Sequence, residues 1–520
     1  MEFYEDLYWI EDVLDFERFD RIDAWRGAYA IGLLSNPIWL TVSSQQNRAA
    51  DLAINLVNKI AENPLSLSRK DQVIRVAVVG AGIAGMVFSY CLHSYKSDRQ
   101  NFTFGIDVFE QHDGICPIQR GCQTRRIHPT LQYWPYVTKE DSFSIPELSG
   151  TEAYEALKWE GGVSAGELAA KISKEYFKNY NSYAKKVRGG SEINIFQGVD
   201  YLKISRIGAF FELAVNGQKI VDKLGNLKLE SGLLEKYDVV VLATGFGVER
   251  SYFGKNGVIP SRPYWRNDSL GQFNLNNEPH RYLISGNGDG AVSDVLRAIF
   301  IDYKPDELLS AIINSNIQQI VHGAFNVTKK KVDEEGMGEC LRYFIKVDLA
   351  RAFESADSLS ILHSLWRGDN KNTLPYKNSW IYTDPVFKIL CEVLIRPRIK
   401  RNVEVISHFK DSDDLAEVVN NPRVTFYNKF LFYSAWALGA LKIKSGPPED
   451  VSASAYIGRD SVLIRHGADA LLPVKGVLSA NLFEKYEKVS KSKLVPSGNL
   501  TERYFDNYRK GVRANSPFEE

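Results

Sequence analysis

The run Val73-Ile74-Arg75-Val76-Ala77-Val78-Val79 leads straight into Gly80-Ala81-Gly82-Ile83-Ala84-Gly85, and this junction limits the possible folds more than any other stretch. A nearly unbroken series of apolar, β-branched residues marks a strand buried on both faces of a parallel sheet. Helical spacing follows from Ile83 to about Ser94. Between strand and helix, the first glycine permits a tight turn and the second lets backbone approach a diphosphate. The third lets helix and strand pack closely. The helix start then faces the phosphates with unpaired N–H groups.

A second strand-like run, Phe104-Gly105-Ile106-Asp107-Val108-Phe109, comes next and ends in Glu110, 25 residues beyond Gly85. A carboxylate there can accept hydrogen bonds from both ribose hydroxyls of an adenosine. Strand, helix, strand and acid together point to a dinucleotide held at Gly80, Gly82, Ile83, Ala84, Gly85 and Glu110. Two more buried strands run into glycine. Tyr237-Asp238-Val239-Val240-Val241-Leu242 leads to Ala243-Thr244-Gly245, and Tyr282-Leu283-Ile284-Ser285 leads to Gly286-Asn287-Gly288-Asp289-Gly290-Ala291. A helix is expected from about Val292 to Phe300.

With these segments in this order, residues 73–300 resemble the flavoprotein oxidoreductases of the two-dinucleotide-binding class, related to glutathione reductase and the flavin-dependent monooxygenases. The resemblance implies an α/β fold with a Rossmann-like FAD-binding domain, FAD as cofactor and NAD(P)H as a reductant. In such proteins the strand ending in Ala-Thr-Gly closes the layer beside FAD, which assigns Ala243, Thr244 and Gly245 to the cofactor. Gly286, Gly288, Asp289 and Gly290 admit two roles. In one, Asp289 accepts hydrogen bonds from the ribityl chain of FAD. In the other, Gly286-x-Gly288-x-x-Ala291 binds NAD(P)H. The second role needs a further strand about 30 residues on, carrying an acid or a base. Ile317 to Val321, ending in His322-Gly323, fits that poorly, so the FAD role is preferred. Capping of the following helix by Asp289 is compatible with both.

The segment from Gly114 to Pro129 follows the ribose-binding acid. In the resembled class it runs past the pyrophosphate toward the flavin ring, where Gln119, Arg120 and Arg125 can donate to phosphates or flavin carbonyls. The glutathione-reductase branch carries its redox disulfide here, with four residues between the cysteines. Cys116 and Cys122 have five between them, and Pro117 follows the first, so buried, unreactive thiols are expected. His128 is expected to be structural. Gln132-Tyr133-Trp134-Pro135-Tyr136 either roofs a substrate pocket or simply packs. The eight histidines form no HExxH, and no nucleophile elbow is assigned, so the reading names no metal and no serine nucleophile. Arg465-His466-Gly467 stands out after a strand-like run, with no account beyond a strand-end turn.

The expected organisation has four parts. Residues 1–72 form a mostly helical N-terminal arm, with a β-prone run at Ile38 to Val42, helical spacing from Gln45 to Glu62, and Trp9, Trp25 and Trp39 in packing roles. Residues 73–300 form the FAD-binding domain with an insertion at about 151–236. There a capping box at Ser164 and Glu167 opens a helix reaching about Lys186, before Arg188-Gly189-Gly190. Strands at Asn194 to Phe196, Phe210 to Val215 and Asn226 to Leu229 then make a small meander. Residues 301–486 form a mixed α/β region for substrate or partner, with a helix from Asp306 to Ile320 and strands at Asn402 to Ile406, Arg423 to Phe426 and Ser461 to Ile464. Residues 487–520 read as a polar tail.

The 64 lysines and arginines balance 64 aspartates and glutamates, which gives no electrostatic footprint for nucleic acid. The acidic start and the lack of any run of about 18 apolar residues argue against a secretory signal and a membrane span. Five cysteines, at 91, 116, 122, 340 and 391, suit a reducing cytoplasm. The function expected is an FAD-dependent oxidoreductase, an NAD(P)H-using reductase or monooxygenase acting on a small organic substrate. Two alternatives stand beside it: a catalytically silent dinucleotide-binding protein that engages a protein partner through its C-terminal region, and an amine or amino-acid oxidase producing hydrogen peroxide.

Overall fold

The computed structural model describes residues 13–18, 26–31, 41–62, 72–95, 102–129, 131, 142–183, 192–208, 210–216, 218–221, 227–230, 233–245, 248–249, 252–253, 259–260, 262–272, 279–308, 358–367, 386–409, 412–421, 424–446, 462–466, 468–469 and 472–492. The protein is α/β. It divides into two compact units, the first made of 1–123, 142–249 and 468–507, the second of 124–141, 250–467 and 508–520. No helix among the described residues is long and apolar enough to cross a membrane.

The first unit is built on one eight-stranded sheet. Its elements are β1 (Val13–Arg18), β2 (Gly27–Ile31), α1 (Val42–Glu62), β3 (Gln72–Val79), α2 (Ile83–Ser94), β4 (Phe102–Phe109), α3 (Ala165–Tyr183) and β5 (Glu192–Gln197). Then come β6 (Tyr201–Ile207), β7 (Phe210–Asn216), β8 (Gln218–Val221), β9 (Leu227–Glu230), β10 (Leu233–Tyr237) and β11 (Val239–Leu242). The sheet order is β1-β2-β11-β3-β4-β5-β8-β9, with β2, β11, β3, β4 and β5 parallel and the outer strands antiparallel. Leaving aside β2, which precedes β3 in the chain and lies beyond β11, the parallel strands counted from β3 run third, second, first, fourth. Such adjacency demands crossovers, and α2 supplies the one between β3 and β4.

Alternation of side chains divides this core between the sheet's two faces. Ala77, Val79, Phe109, Val240 and Leu242 share one apolar cluster with Leu202, Ile204, Phe211, Leu213 and Val215 of a β6-β7-β10 meander, and with Leu478, Leu482 and Tyr486 near the C-terminus. Val76, Val78, Val239 and Val241 alternate with these and are equally buried. Helices α1 and α2 pack against each other. The capping box that opens α3 forms in full: Ser164 N–H donates to Glu167 Oε2 at 2.7 Å and Glu167 N–H to Ser164 Oγ at 3.1 Å.

The second unit has its own four-stranded, wholly parallel sheet. Its elements are β12 (His280–Ser285), α4 (Asp289–Ile299), β13 (Val403–Phe409), α5 (Ala416–Val419), α6 (Phe426–Ala437), β14 (Leu441–Ser445) and β15 (Val462–Ile464). The order is β14-β13-β12-β15, which counted from β12 is again third, second, first, fourth. Helix α4 leaves β12 and packs beside α6, which leads from β13 to β14.

Several expectations are corrected. The N-terminal region contributes strands as well as α1, and β2 is buried in the main sheet, so it is more than a docked arm. The β-prone run ends in Val42, the first residue of α1, because the hydrogen bonds of Ser44 with Thr41 open a helix there; residues 38–40 lie outside the described residues. The inserted strands do not form one meander: β5 joins β4 in parallel and carries β8 and β9 with it. The buried run from Tyr237 is two strands. Asp238 separates β10 of the meander from β11 of the main sheet, and its N–H donates to the carbonyl of Arg75 at 2.9 Å. Residues 280–300 belong to the second unit and its separate sheet, not to a domain shared with residues 73–150. Phe426 starts α6 instead of ending a strand, since Thr425 caps the helix through its side chain. Residues 480–492 are helical, with Tyr486 buried, so the tail begins no earlier than 493. Outside the described residues lie Trp9, Trp25, Trp39, residues 132–136, 188–190, 309–323 and 493–520, and Cys340.

Candidate functional site

Each unit carries a glycine turn at the C-terminal end of a parallel strand inside its sheet, β3 in the first and β12 in the second. In the first unit, Gly80 has φ +107°, a conformation that favours glycine, and its N–H donates to the carbonyl of Phe109 at 2.7 Å. A Cβ on Gly80 would sit 2.5 Å from the carbonyl oxygen of Ala243, so β11 closes the turn from one side. Gly85 is closed as well, because a Cβ there would run into the Gly80 carbonyl. Gly82 is different: nothing lies within 4 Å of where its Cβ would be. As N-cap of α2 it has no side-chain cap. Helix starts leave N–H groups unsatisfied, and such groups at an open glycine can take a phosphate.

Glu110 stands at this turn. Only 6% exposed, it accepts the Ala81 N–H at Oε2 (2.8 Å) and the His112 N–H at Oε1 (2.9 Å). Burial pushes its carboxyl up, while these donors pull it back. Ile83 is buried, and Ala84 is half-buried beside it. The chain then folds back over the turn, with Cys116 N–H donating to the Ala81 carbonyl at 2.8 Å. Gln119 is half-buried and Arg120 exposed. Cys116 and Cys122 are buried free thiols, and burial pushes the Cys116 pKa far up, which gives no thiolate for exchange. Beyond Ala243, Thr244 is half-buried and Gly245 has φ +75° with open space at its Cβ position.

In the second unit, Gly286 has φ +134°, and its N–H donates to the carbonyl of His408 at 2.9 Å. A Cβ there would run into the carbonyl of Arg465. Gly288 is the N-cap of α4, again with nothing within 4 Å. Position by position, Gly286 and Gly288 repeat Gly80 and Gly82. Arg465 and His466 thereby match Ala243 and Thr244, since Arg465 N–H donates to the Ser285 carbonyl as Ala243 N–H does to Val79; Gly467 lies outside the described residues. This accounts for the first two residues of a triplet whose role the sequence does not disclose. The signal lay in strand order, which no local pattern carries.

Two assigned residues do other work. Asp289 accepts Thr425 N–H (2.9 Å), Thr425 Oγ1 (3.1 Å) and Asn428 Nδ2 (2.8 Å), all at Oδ1; it fastens the start of α6 and does not cap α4. Arg125 belongs to the second unit and is buried in an ion-pair network, bonded to Asp294, to Asp268 at 3.1 Å and to the Tyr264 carbonyl at 2.7 Å. Arg297 and Arg465 complete the network, at 2.6 Å from Asp268 and 2.8 Å from Asp294 respectively. Burial opposes ionisation of Asp294, yet Arg125 and Arg465 hold its pKa down to about 2. A guanidinium committed in this way is not free to bind a phosphate. Gly290 is packed under the Tyr264 ring, 3.3 Å from where its Cβ would lie.

Side chains to which the sequence gives no role also gather here. Ser285 Oγ lies 3.0 Å from His408 Nδ1 and 2.7 Å from His466 Nε2, at the ends of β12, β13 and β15. Asn287, the middle residue of the turn, donates from Nδ2 to Glu417 Oε2 at 3.2 Å and accepts Asn421 Nδ2 at its carbonyl at 2.8 Å. Neither a protein-family model nor a curated protein matches this chain.

Proposed function

We propose that the chain is an FAD-dependent oxidoreductase that takes hydride from NAD(P)H and passes electrons to oxygen or to a small organic acceptor. The observation that carries this reading is the division of labour at Gly80-Ala81-Gly82-Ile83-Ala84-Gly85: closed at the first and third glycines, open at the second, with the Glu110 carboxylate on the residue between. That combination suits a diphosphate over Gly82 and an adenosine ribose at Glu110. The strand order counted from β3, that of a doubly wound nucleotide-binding sheet, supports it further.

The chain's own residues would act as follows. The first N–H groups of α2 bind the diphosphate, Gly82 lets it approach, and Glu110 accepts from the ribose hydroxyls. Thr244 and Gly245 border the same turn. When bound, FAD supplies the redox chemistry by accepting and releasing a hydride equivalent. The matching turn at Gly286 and Gly288 is read as the site of the nicotinamide dinucleotide, in preference to the ribityl role, because it opens a separate parallel sheet and Asp289 is already engaged.

Anaerobic titration of the flavin-loaded full chain with NADH and NADPH tests the reading. Bleaching of the flavin band is expected. A spectrum unchanged by both would contradict hydride transfer from a nicotinamide.

A further inference from the structure

The two turns differ in where a carboxylate comes from. In the first unit Glu110 follows β4 directly. By register, Ser285 of β12 pairs with His408 as Val79 of β3 pairs with Phe109, so the residue matching Glu110 is Phe409, which offers no acceptor. Yet the second turn does not lack an acid. Glu417, on α5, reaches the middle residue of Gly286-Asn287-Gly288 and accepts Asn287 Nδ2 at 3.2 Å, as Glu110 accepts the N–H of Ala81, the middle residue of the first turn. Asn421, one turn further along, holds the Asn287 carbonyl at 2.8 Å, so this stretch is pinned to the turn from both sides of Asn287. Glu417 is half-buried, and among the described residues its second oxygen, Oε1, accepts no hydrogen bond.

We propose that Glu417 is the ribose-binding carboxylate of the second turn and that it selects a dinucleotide with a free 2′-hydroxyl, the NADH class, against the 2′-phosphorylated class. This rests on the reading of that turn as a nicotinamide dinucleotide site. A carboxylate with a spare oxygen beside the turn accepts from ribose hydroxyls, whereas a 2′-phosphate would set like charges face to face.

The test uses the full, FAD-loaded chain and the oxidised dinucleotides NAD+ and NADP+, so that no turnover occurs, with affinities read by calorimetry. NAD+ is expected to bind at least about tenfold more tightly than NADP+. Glu417→Gln should reduce that preference to within about threefold, chiefly by weakening NAD+. Asn287→Ala, which frees the carboxylate from its protein partner without removing it, should keep the preference. Equal losses for both dinucleotides in both variants would mean that Glu417 only anchors the turn, and would overturn the proposal. Tighter binding of NADP+ would overturn it while leaving the dinucleotide site standing. Binding of neither would remove the site and the proposal together.

Discussion

The turns at Gly80 and Gly286 solve one steric problem twice, and they differ most at their third small residue. Gly85 tolerates no Cβ, because the Gly80 carbonyl occupies that space; Ala291 carries one, 3.2 Å from where a Cβ on Gly286 would lie. The first turn thus leaves no room for the methyl group that Ala291 carries in the second. The units also differ in what lies beneath the turn helix. Under α4 sits a buried network in which three arginines, Arg125, Arg297 and Arg465, converge on Asp294 and Asp268. A close backbone contact and the Glu110 carboxylate anchor the first turn, whereas a network of three arginines surrounds the helix of the second.

The sharpest way to break this contrast is to remove the hub of the network. Asp294 is 0% exposed, and Asp294→Asn would leave buried guanidinium charge uncompensated, an effect of about 3–5 kcal/mol. Hydrogen exchange read on peptides of each unit should show the loss in 250–467 and not in 72–110; equal loss in both would erase the distinction. The next effect tests the packed side. Gly85→Ala should cost about 1–3 kcal/mol through the clash with Gly80, whereas Ala291→Gly should cost only the ~1 kcal/mol of a glycine in a helix. Denaturant midpoints followed separately for the two units would check this, and equal costs would contradict the difference at the third small residue.

A smaller effect depends on pH. Lys429 on α6 is 3% exposed, and burial lowers its pKa to about 8, with Asp289 opposing. Between that value and the ordinary ~10.4 the unfolded chain binds more protons than the folded one. The charge therefore costs most below pH 8, and the cost fades as pH rises toward 10. Lys429→Met should stabilise the second unit by about 1–3 kcal/mol at pH 7, and by clearly less at pH 9.5. An advantage independent of pH would show that the ammonium is not what burial penalises. The smallest expected effect is that of Thr425→Ala. It removes the cap of α6 and one donor to Asp289, for about 1 kcal/mol of stability in the second unit alone.

What could be read from the sequence followed the distance over which each signal acts. Val73 to Val79, the glycine turn, β4 and Glu110 lie within one strand-helix-strand unit, and their local pattern sufficed. Ala243-Thr244-Gly245 was readable because β11 is a continuous apolar run. The second unit hid its nature because β13 begins at Val403, 103 residues after α4 ends at Ile299 by the count of intervening positions 300–402, far beyond the expected interval. No acid stands at the end of β13, where Phe409 lies; the carboxylate that meets the turn, Glu417, is on α5. Arg125 was misassigned because a basic residue in a glycine-rich loop looks the same in sequence whether it meets a phosphate or a distant Asp294. Asp289 was misassigned for the same reason, its partners Thr425 and Asn428 being more than 130 residues away. Strand β2 escaped because Gly27-Ala28-Tyr29-Ala30-Ile31 is short and rich in small residues, and only its place beside β11 buries it.

The central claim is that Gly82 lies open for a flavin diphosphate, and FAD retention by Gly82→Val beside the unaltered chain tests it most directly. A β-branched side chain at that open position should abolish bound flavin absorbance while hydrogen exchange in both units stays normal; Gly288→Val should retain the flavin and lose the nicotinamide dinucleotide instead. Full flavin binding by Gly82→Val, or an unaltered chain that takes up no FAD at all, would contradict the account.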